Sequence, residues 1–218
     1  MTTPFLVISV ATTGLFTDDY APKLLEIAAV LVSPREDRAA SSSRPGRFGC
    51  LVSHDEETFK AVQAQQAQRF HGITPELAAS GFPEEEVCEG LKAWRKGLAD
   101  ILFGMNMSLG GWRAFNRDFV ASVLNTPEWE DALGSYGMPG RCVMEEASEV
   151  MGVQGILSEN WDGTFRYPSL KSTVRWLQGR GHKIPESTGR AEDNATTVGQ
   201  VCLSLIKERE EAPERNVS

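Results

Sequence analysis

Phe5-Leu6-Val7-Ile8-Ser9-Val10-Ala11-Thr12-Thr13-Gly14-Leu15 is an apolar, β-branched run that breaks at Thr-Thr-Gly. A run of this kind bounded by turn residues predicts a central strand feeding a tight turn. Alternation along that strand puts Ser9 and Ala11 on one face. Leu24–Val32 predicts a second strand and Phe48–Ser53 a third. Residues 34–47, between them, are rich in Pro, Ser, Arg and Gly. They bury too little to order themselves and are expected to form a mobile hairpin loop.

Helical patterns follow. Thr58–Phe70 lacks breakers and stops at His71-Gly72, which predicts one helix ended by glycine. Pro83 followed by Glu84, Glu85 and Glu86 predicts a helix start, since acids favour the positive end of the helix dipole. Val87, Leu91, Trp94, Leu98 and Ile101 give that helix an apolar stripe. Met107–Phe115 makes a poor strand because Gly110 and Gly111 interrupt it. Asn116 is placed to cap a helix through Leu124. Glu145–Met151, Ser169–Gln178 and Ala191–Lys207 complete the helical set, and the charged residues 208–218 are expected to fray. Strands first and helices later indicate an α/β or α+β layered domain, here residues 1–207.

Composition narrows the class. At 218 residues and 41% hydrophobic, the chain can bury one substantial core. Cys50, Cys88, Cys142 and Cys202 are scattered, as are His54, His71 and His182. Neither set has the spacing of a zinc site, and buried thiols in a reducing cytoplasm are the expected state. No apolar run is long enough to span a membrane, and no basic segment precedes the first apolar stretch, so neither a membrane span nor a secretory leader is expected. Net charge is −8, from 22 basic and 30 acidic residues, which opposes tight non-specific binding to DNA. The distribution is uneven. Residues 161–190 hold Arg166, Lys171, Arg175, Arg180, Lys183 and Arg190 against Asp162 and Glu186. That run reads either as a solvated face or as a phosphate-binding one.

Five landmarks appear in a recognisable order between Phe5 and Leu205. They are Thr12-Thr13-Gly14; Leu25-Glu26-Ile27-Ala28-Ala29-Val30; His71-Gly72-Ile73-Thr74; Ala114-Phe115-Asn116-Arg117-Asp118-Phe119-Val120; and Gly189-Arg190-Ala191-Glu192-Asp193-Asn194-Ala195. Ser169-Leu170-Lys171 stands between the last two. In this order the chain resembles the DEDDh 3'–5' exonucleases, the DnaQ-like and RNase T-like family. The resemblance implies a ribonuclease H-like fold, a central mixed sheet flanked by helices.

The resemblance also implies where chemistry would reside. Family members cleave a phosphodiester with two divalent ions roughly 3.5–4 Å apart, held by four acids, with a His as general base. At the four acidic positions this chain has Ser9, Ala11, Val120 and Asn194, and at the base position it has Gly189. Hard ions such as Mg²⁺ want charged oxygen ligands, and none remains at these positions. Asp118, Asp193 and Glu192 are offset from the motif positions, with helical rotations of roughly 100° or 200°, and read as exposed helix acids. No metal or other cofactor is therefore expected.

The expected function is that of a catalytically inactive, exonuclease-like protein. It binds a single-stranded nucleic-acid 3' end or a replication or repair protein, with no membrane partner. The alternative is an active metal-dependent 3'–5' exonuclease with a non-standard ligand set. By resemblance, Thr12, Thr13 and Gly14 touch the terminal nucleotide. Asn116 reads equally as a helix cap or a substrate contact. Arg175, Trp176 and Arg180 complete the candidate nucleic-acid set, with core packing the competing role for Trp176.

Overall fold

The computed structural model of the protein describes residues 5–15, 17–32, 46–101, 108–111, 124, 126–133 and 141–211. Five strands make one mixed sheet: β1 (Phe5–Thr12), β2 (Leu24–Val32), β3 (Arg47–Leu51), β4 (Ser108–Gly111) and β5 (Arg141–Cys142), in the order β3-β2-β1-β4-β5. β1 is central. It pairs antiparallel with β2 and parallel with β4; β3 pairs antiparallel with β2, and β5 parallel with β4. The glycines of β4 do not prevent pairing, because Leu6 and Val7 align with Leu109 and Gly110 through main-chain bonds alone. Among the described residues seven α-helices surround the sheet: α1 (Val62–His71), α2 (Pro75–Ala79), α3 (Glu84–Ile101), α4 (Pro127–Leu133), α5 (Val143–Val153), α6 (Leu170–Gly179) and α7 (Ala191–Glu211).

The alternation of β1 divides the core. Leu6 and Ile8 pack with Ile27, Ala29, Val87, Leu91 and Trp129, so α3 and α4 cover that face. Val7 packs with Ala28, Val30, Val143, Val174, Ala195 and Val198, so α5, α6 and α7 cover the other. A strand buried on both faces reads as a continuous apolar run, which is why residues 5–11 show so few polar positions. Trp129 joins the layers on the first face by donating Nε1–H to the Glu84 carboxylate (2.6 Å) at the start of α3.

Several boundaries differ from the sequence expectation. The helix expected over 58–70 is two elements. Asp55 accepts from the Thr58 N–H (3.1 Å) and caps a 3-10 turn, Glu56–Phe59, and an extended Ala61 then separates it from α1. α1 does end at Gly72, whose φ of 68° is left-handed. α2, α4 and the two-residue β5 carried no clear periodicity. The fraying expected from 208 onward is wrong for residues 208–211, which continue α7. Glu208 explains this: its carboxylate is 2% exposed and bonded to Arg180 (2.6 Å), His182 (2.8 Å) and Gln154 (3.2 Å). The loop expected over 34–47 lies outside the described residues up to position 45. The tail beyond 211 and the segment carrying Trp112, Asn116, Phe119 and Val120 also lie outside them. No described helix is long and apolar enough to cross a membrane.

Burial pushes the Glu208 carboxyl upward, but the hydrogen bonds from Arg180, His182 and Gln154 outweigh it and hold its pKa down at about 2. A carboxyl depressed in the fold contributes stability above its ordinary value of 4.5 and loses it as pH falls towards 2. Melting curves from pH 7 to 2 should therefore show a loss through that window. Glu208→Gln should melt lower at pH 7 and lose less on acidification; an identical acid profile for the variant would remove Glu208 as the cause.

Candidate functional site

β1 delivers Ser9 and Ala11 to the face covered by α7, in register with Ala28 and Glu26 of β2. The strand then enters a turn held by its own hydroxyls. Thr12 Oγ1 donates to Gly14 O (2.8 Å), and Thr13 Oγ1 accepts from Tyr20 Oη (2.6 Å) and the Lys23 N–H (2.8 Å). Thr12 and Thr13 are buried, so here these hydroxyls build the turn. Beside it lies an open cavity of about 230 Å³ lined by Thr13, Tyr20, Lys23, Asp55, Glu57 and Thr58. Leu15, which follows Gly14, stands exposed.

Glu26 occupies the face on which a metal site is implied. A glutamate inside Leu24-Leu25-Glu26-Ile27-Ala28 must be paired if buried, and it is 4% exposed. Arg190 supplies the partner, with Nε at 3.1 and 3.0 Å from the two carboxylate oxygens and Nη2 at 2.6 Å. The Ala191 N–H donates as well (2.7 Å), so the carboxylate also caps the first turn of α7. Glu26 holds the Arg190 guanidinium pKa above its ordinary value despite partial burial. The paired charges are 164 residues apart in sequence, which is why strand periodicity revealed Glu26 but not its partner.

Gly189 leads into that helix with φ 93°. A Cβ placed on it would lie 1.9 Å from the Phe70 carbonyl oxygen and 2.8 Å from its carbon, far inside van der Waals contact. Asn194 faces inward to this turn. It accepts from Ser187 Oγ, and its Nδ2 donates to Gly189 O (3.4 Å), while Ser187 Oγ accepts from the Gly189 N–H (3.1 Å). Asp193 is bonded to Thr188, a local contact at the start of α7.

Each of the three histidines is engaged or closed off: His54 Nε2 is bonded to the Leu24 carbonyl oxygen (2.6 Å) at the start of β2. His71 is 7% exposed; its Nδ1 accepts from the Ile73 N–H (3.0 Å), which leaves the proton on Nε2. Nε2 is directed to the Thr12 main chain without a well-formed hydrogen bond. Burial pushes the His71 pKa down, so the ring is neutral and shut off from solvent. His182 is bound to Glu208, toward the other end of α7.

The residues present do not fit two divalent ions. Ser9 and Asn194 bring neutral oxygens, Ala11 and Gly189 bring none, Glu26 has both carboxylate oxygens engaged by Arg190 and Ala191, and the Glu192 carboxylate lies over Gly49 of β3. A dication would have to displace a guanidinium held bidentately. Among the described residues no group of three or more His, Cys, Asp and Glu is placed to hold a metal.

The structure brings Thr12, Thr13 and Gly14 together at the end of β1, with Ser9 and Ala11 behind them, but puts Arg175 and Trp176 on α6 and Arg180 at its C-terminal cap; Asn116 lies outside the described residues. Arg175 is exposed. Trp176 is half-buried against the core, with the Arg180 guanidinium 5.7 Å from its ring centre. Arg180 is itself drawn to Glu208 (2.6 Å).

No protein-family model and no curated protein matches the sequence. Solved structures do match the fold. The nuclease domain of 3'hExo, a DEDDh family member bound to rAMP, superimposes with a TM-score of 0.60 at 11% identity, covering 94% of this chain and 92% of that one. The cell-death related nuclease CRN-4 gives 0.64 at 13% identity, covering 94% and 64%. E. coli Exonuclease I in complex with a dA16 oligonucleotide gives 0.53 at 14%, covering 96% and 42%. The chain thus spans less than two thirds of the latter two. With a mixed sheet ordered β3-β2-β1-β4-β5 and helices on both faces, it has the ribonuclease H-like fold of the DEDDh, DnaQ-like exonucleases.

Proposed function

We propose that this protein is a catalytically inactive exonuclease-like module, a non-enzymatic accessory that binds nucleic-acid ends or a replication or repair protein. The observation that carries the reading is Gly189. The position that resemblance assigns to the general base is closed against the Phe70 carbonyl and has no room for a side chain. Ser9, Ala11 and Asn194 support it, since they offer no charge to hold dications. The nucleic-acid half of the reading draws on structures of similar fold solved with rAMP, with dA16 and, for a 3'-exonuclease, in recognition of a histone mRNA stem-loop. Leu15, next in the chain after Thr12-Thr13-Gly14, is exposed and leaves apolar surface where a terminal nucleotide would lie.

End-labelled single-stranded and duplex DNA and RNA should stay intact when incubated with the protein and Mg²⁺ or Mn²⁺. Shortening from the 3' end that requires metal and is lost on substituting Asp118 or Asp193 would establish the active alternative instead.

A further inference from the structure

The chain between α5 and α6 makes an excursion that the functional site does not use. Glu159 and Phe165 form an antiparallel bridge, and the Arg166 N–H donates to Ser158 O (3.2 Å). The tip is fixed by the Asp162 carboxylate, which accepts from the Thr164 N–H (3.0 Å) and hydroxyl (2.6 Å), and by Asn160 Nδ2 donating to Thr164 Oγ1 (3.0 Å). The base is anchored too. The Phe165 ring lies flat on α5 where Gly152 has no side chain, since a Cβ there would sit 2.1 Å from the ring, and Ser148 Oγ donates to Phe165 O (3.1 Å).

This well-bonded turn holds Trp161 at 99% exposure. An indole wholly in water forgoes burial worth about 2 kcal/mol or more, and the bonds around it fix it there. Tyr167, 63% exposed, follows after the bridge. The chain then enters α6 through Ser169, whose side chain caps the Ser172 N–H (3.1 Å), and presents Lys171 and Arg175 one turn apart. Arg166, Lys171 and Arg175 are exposed and have no ion-pair partner among the described residues, whereas Arg180 and Arg190 of the same basic run are bound to Glu208 and Glu26. Two acids share this hairpin: Asp162, which is engaged by Thr164, and Glu159, whose Oε1 lies 3.8 Å from where a Cβ on Gly163 would be.

We propose that this hairpin and the first turns of α6 form a binding platform for single-stranded nucleic acid. Bases stack on Trp161 and Tyr167, and phosphates meet Arg166, Lys171 and Arg175. The inference rests on the reading that the protein binds a nucleic-acid strand without metal. Exposed aromatics stack on any base, and free cations beside them neutralise the backbone. Trp176, covered by Arg180, has no part in it.

The test is fluorescence anisotropy of a labelled oligothymidylate of roughly 16 nucleotides, a length that spans a typical single-strand site, titrated with the full chain in EDTA. The wild-type protein should bind. Three phosphates neutralised on a single strand give a slope of log affinity against log salt of about −2. Trp161→Ala should weaken binding about tenfold, and adding Tyr167→Ala about tenfold more. Trp161→Phe should retain most of the affinity, and Lys171→Ala with Arg175→Ala should flatten the salt dependence. These side chains are exposed, so melting temperatures should not change. Wild-type binding that is indifferent to both aromatic substitutions overturns the platform and leaves metal-free binding elsewhere on the protein. No wild-type binding at low salt overturns both the platform and the metal-free binding it rests on. Metal-dependent loss of the oligonucleotide in a parallel Mg²⁺ arm counts against the inactive reading and leaves the platform untouched.

Discussion

Gly189→His is expected to destabilise the protein by about 3 kcal/mol or more, because backbone strain and overpacking each cost about 1–3 kcal/mol. The φ of 93° is strained for any residue with a Cβ, and that Cβ collides with the main chain of Phe70, which cannot rotate away as a side chain can. For a chain of this size the melting temperature should drop by about 6–12 °C, at about 2–4 °C for each kcal/mol. Gly189→Ala should lose nearly as much, since the first side-chain atom causes the clash. The consequence for chemistry is direct. Restoring the acids alone, Ser9→Asp, Ala11→Glu, Val120→Asp and Asn194→Asp, crowds carboxylates whose repulsion lowers stability until Mg²⁺ binds the folded state and recovers it. Adding Gly189→His to that variant should remove the recovery. A Gly189→His protein that melts within about 2 °C of the wild type would mean the Phe70 carbonyl yields freely, less than one kcal/mol of cost on the same scale. The principal support for an inactive site would then be gone.

Arg190→Ala should cost about 3–5 kcal/mol, the range for breaking a buried ion pair from one side. The variant strips the guanidinium from a carboxylate that is buried in the wild-type fold and leaves the Ala191 N–H as its remaining donor. Glu26→Ala should cost less through charge, because Arg190 is 33% exposed at its side chain and can turn to water. The double variant Glu26→Leu, Arg190→Met removes both charges and should recover much of the loss, as apolar replacement of a buried pair commonly does. Urea unfolding monitored by circular dichroism reads all three through the midpoint, with the slope unchanged if compactness is unaffected. Equal, small losses for Arg190→Ala and the double variant would show that the pair does not organise the junction of β2 and α7.

β1, β2 and β3 and the order of the landmarks were legible in the sequence, whereas β4 and β5 were not. Leu24–Val32 became β2 with the expected bounds, and Val7 faces away from Leu6, Ile8 and Val10 as alternation requires. The stop at Gly72 and the acid-led start of α3 were also legible. Each of these signals is local: a period, a turn residue, a charge at a helix end. That Ser9, Ala11 and Asn194 carry no charge was legible too, since it concerns residue identity alone. What stands beside them depends on chain packing. That Glu26 lies in register with Ala11 follows from strand pairing, but that its charge is satisfied by Arg190 depends on α7 packing across the sheet. That Gly189 admits no side chain depends on the end of α1 being laid against it. Arg175, Trp161 and Arg180 belong to one basic run in the sequence, and tertiary contacts separate them by burying Arg180's partner Glu208 while leaving Trp161 in water. Propensity and periodicity act over a few residues, whereas these contacts join positions that only chain packing brings together.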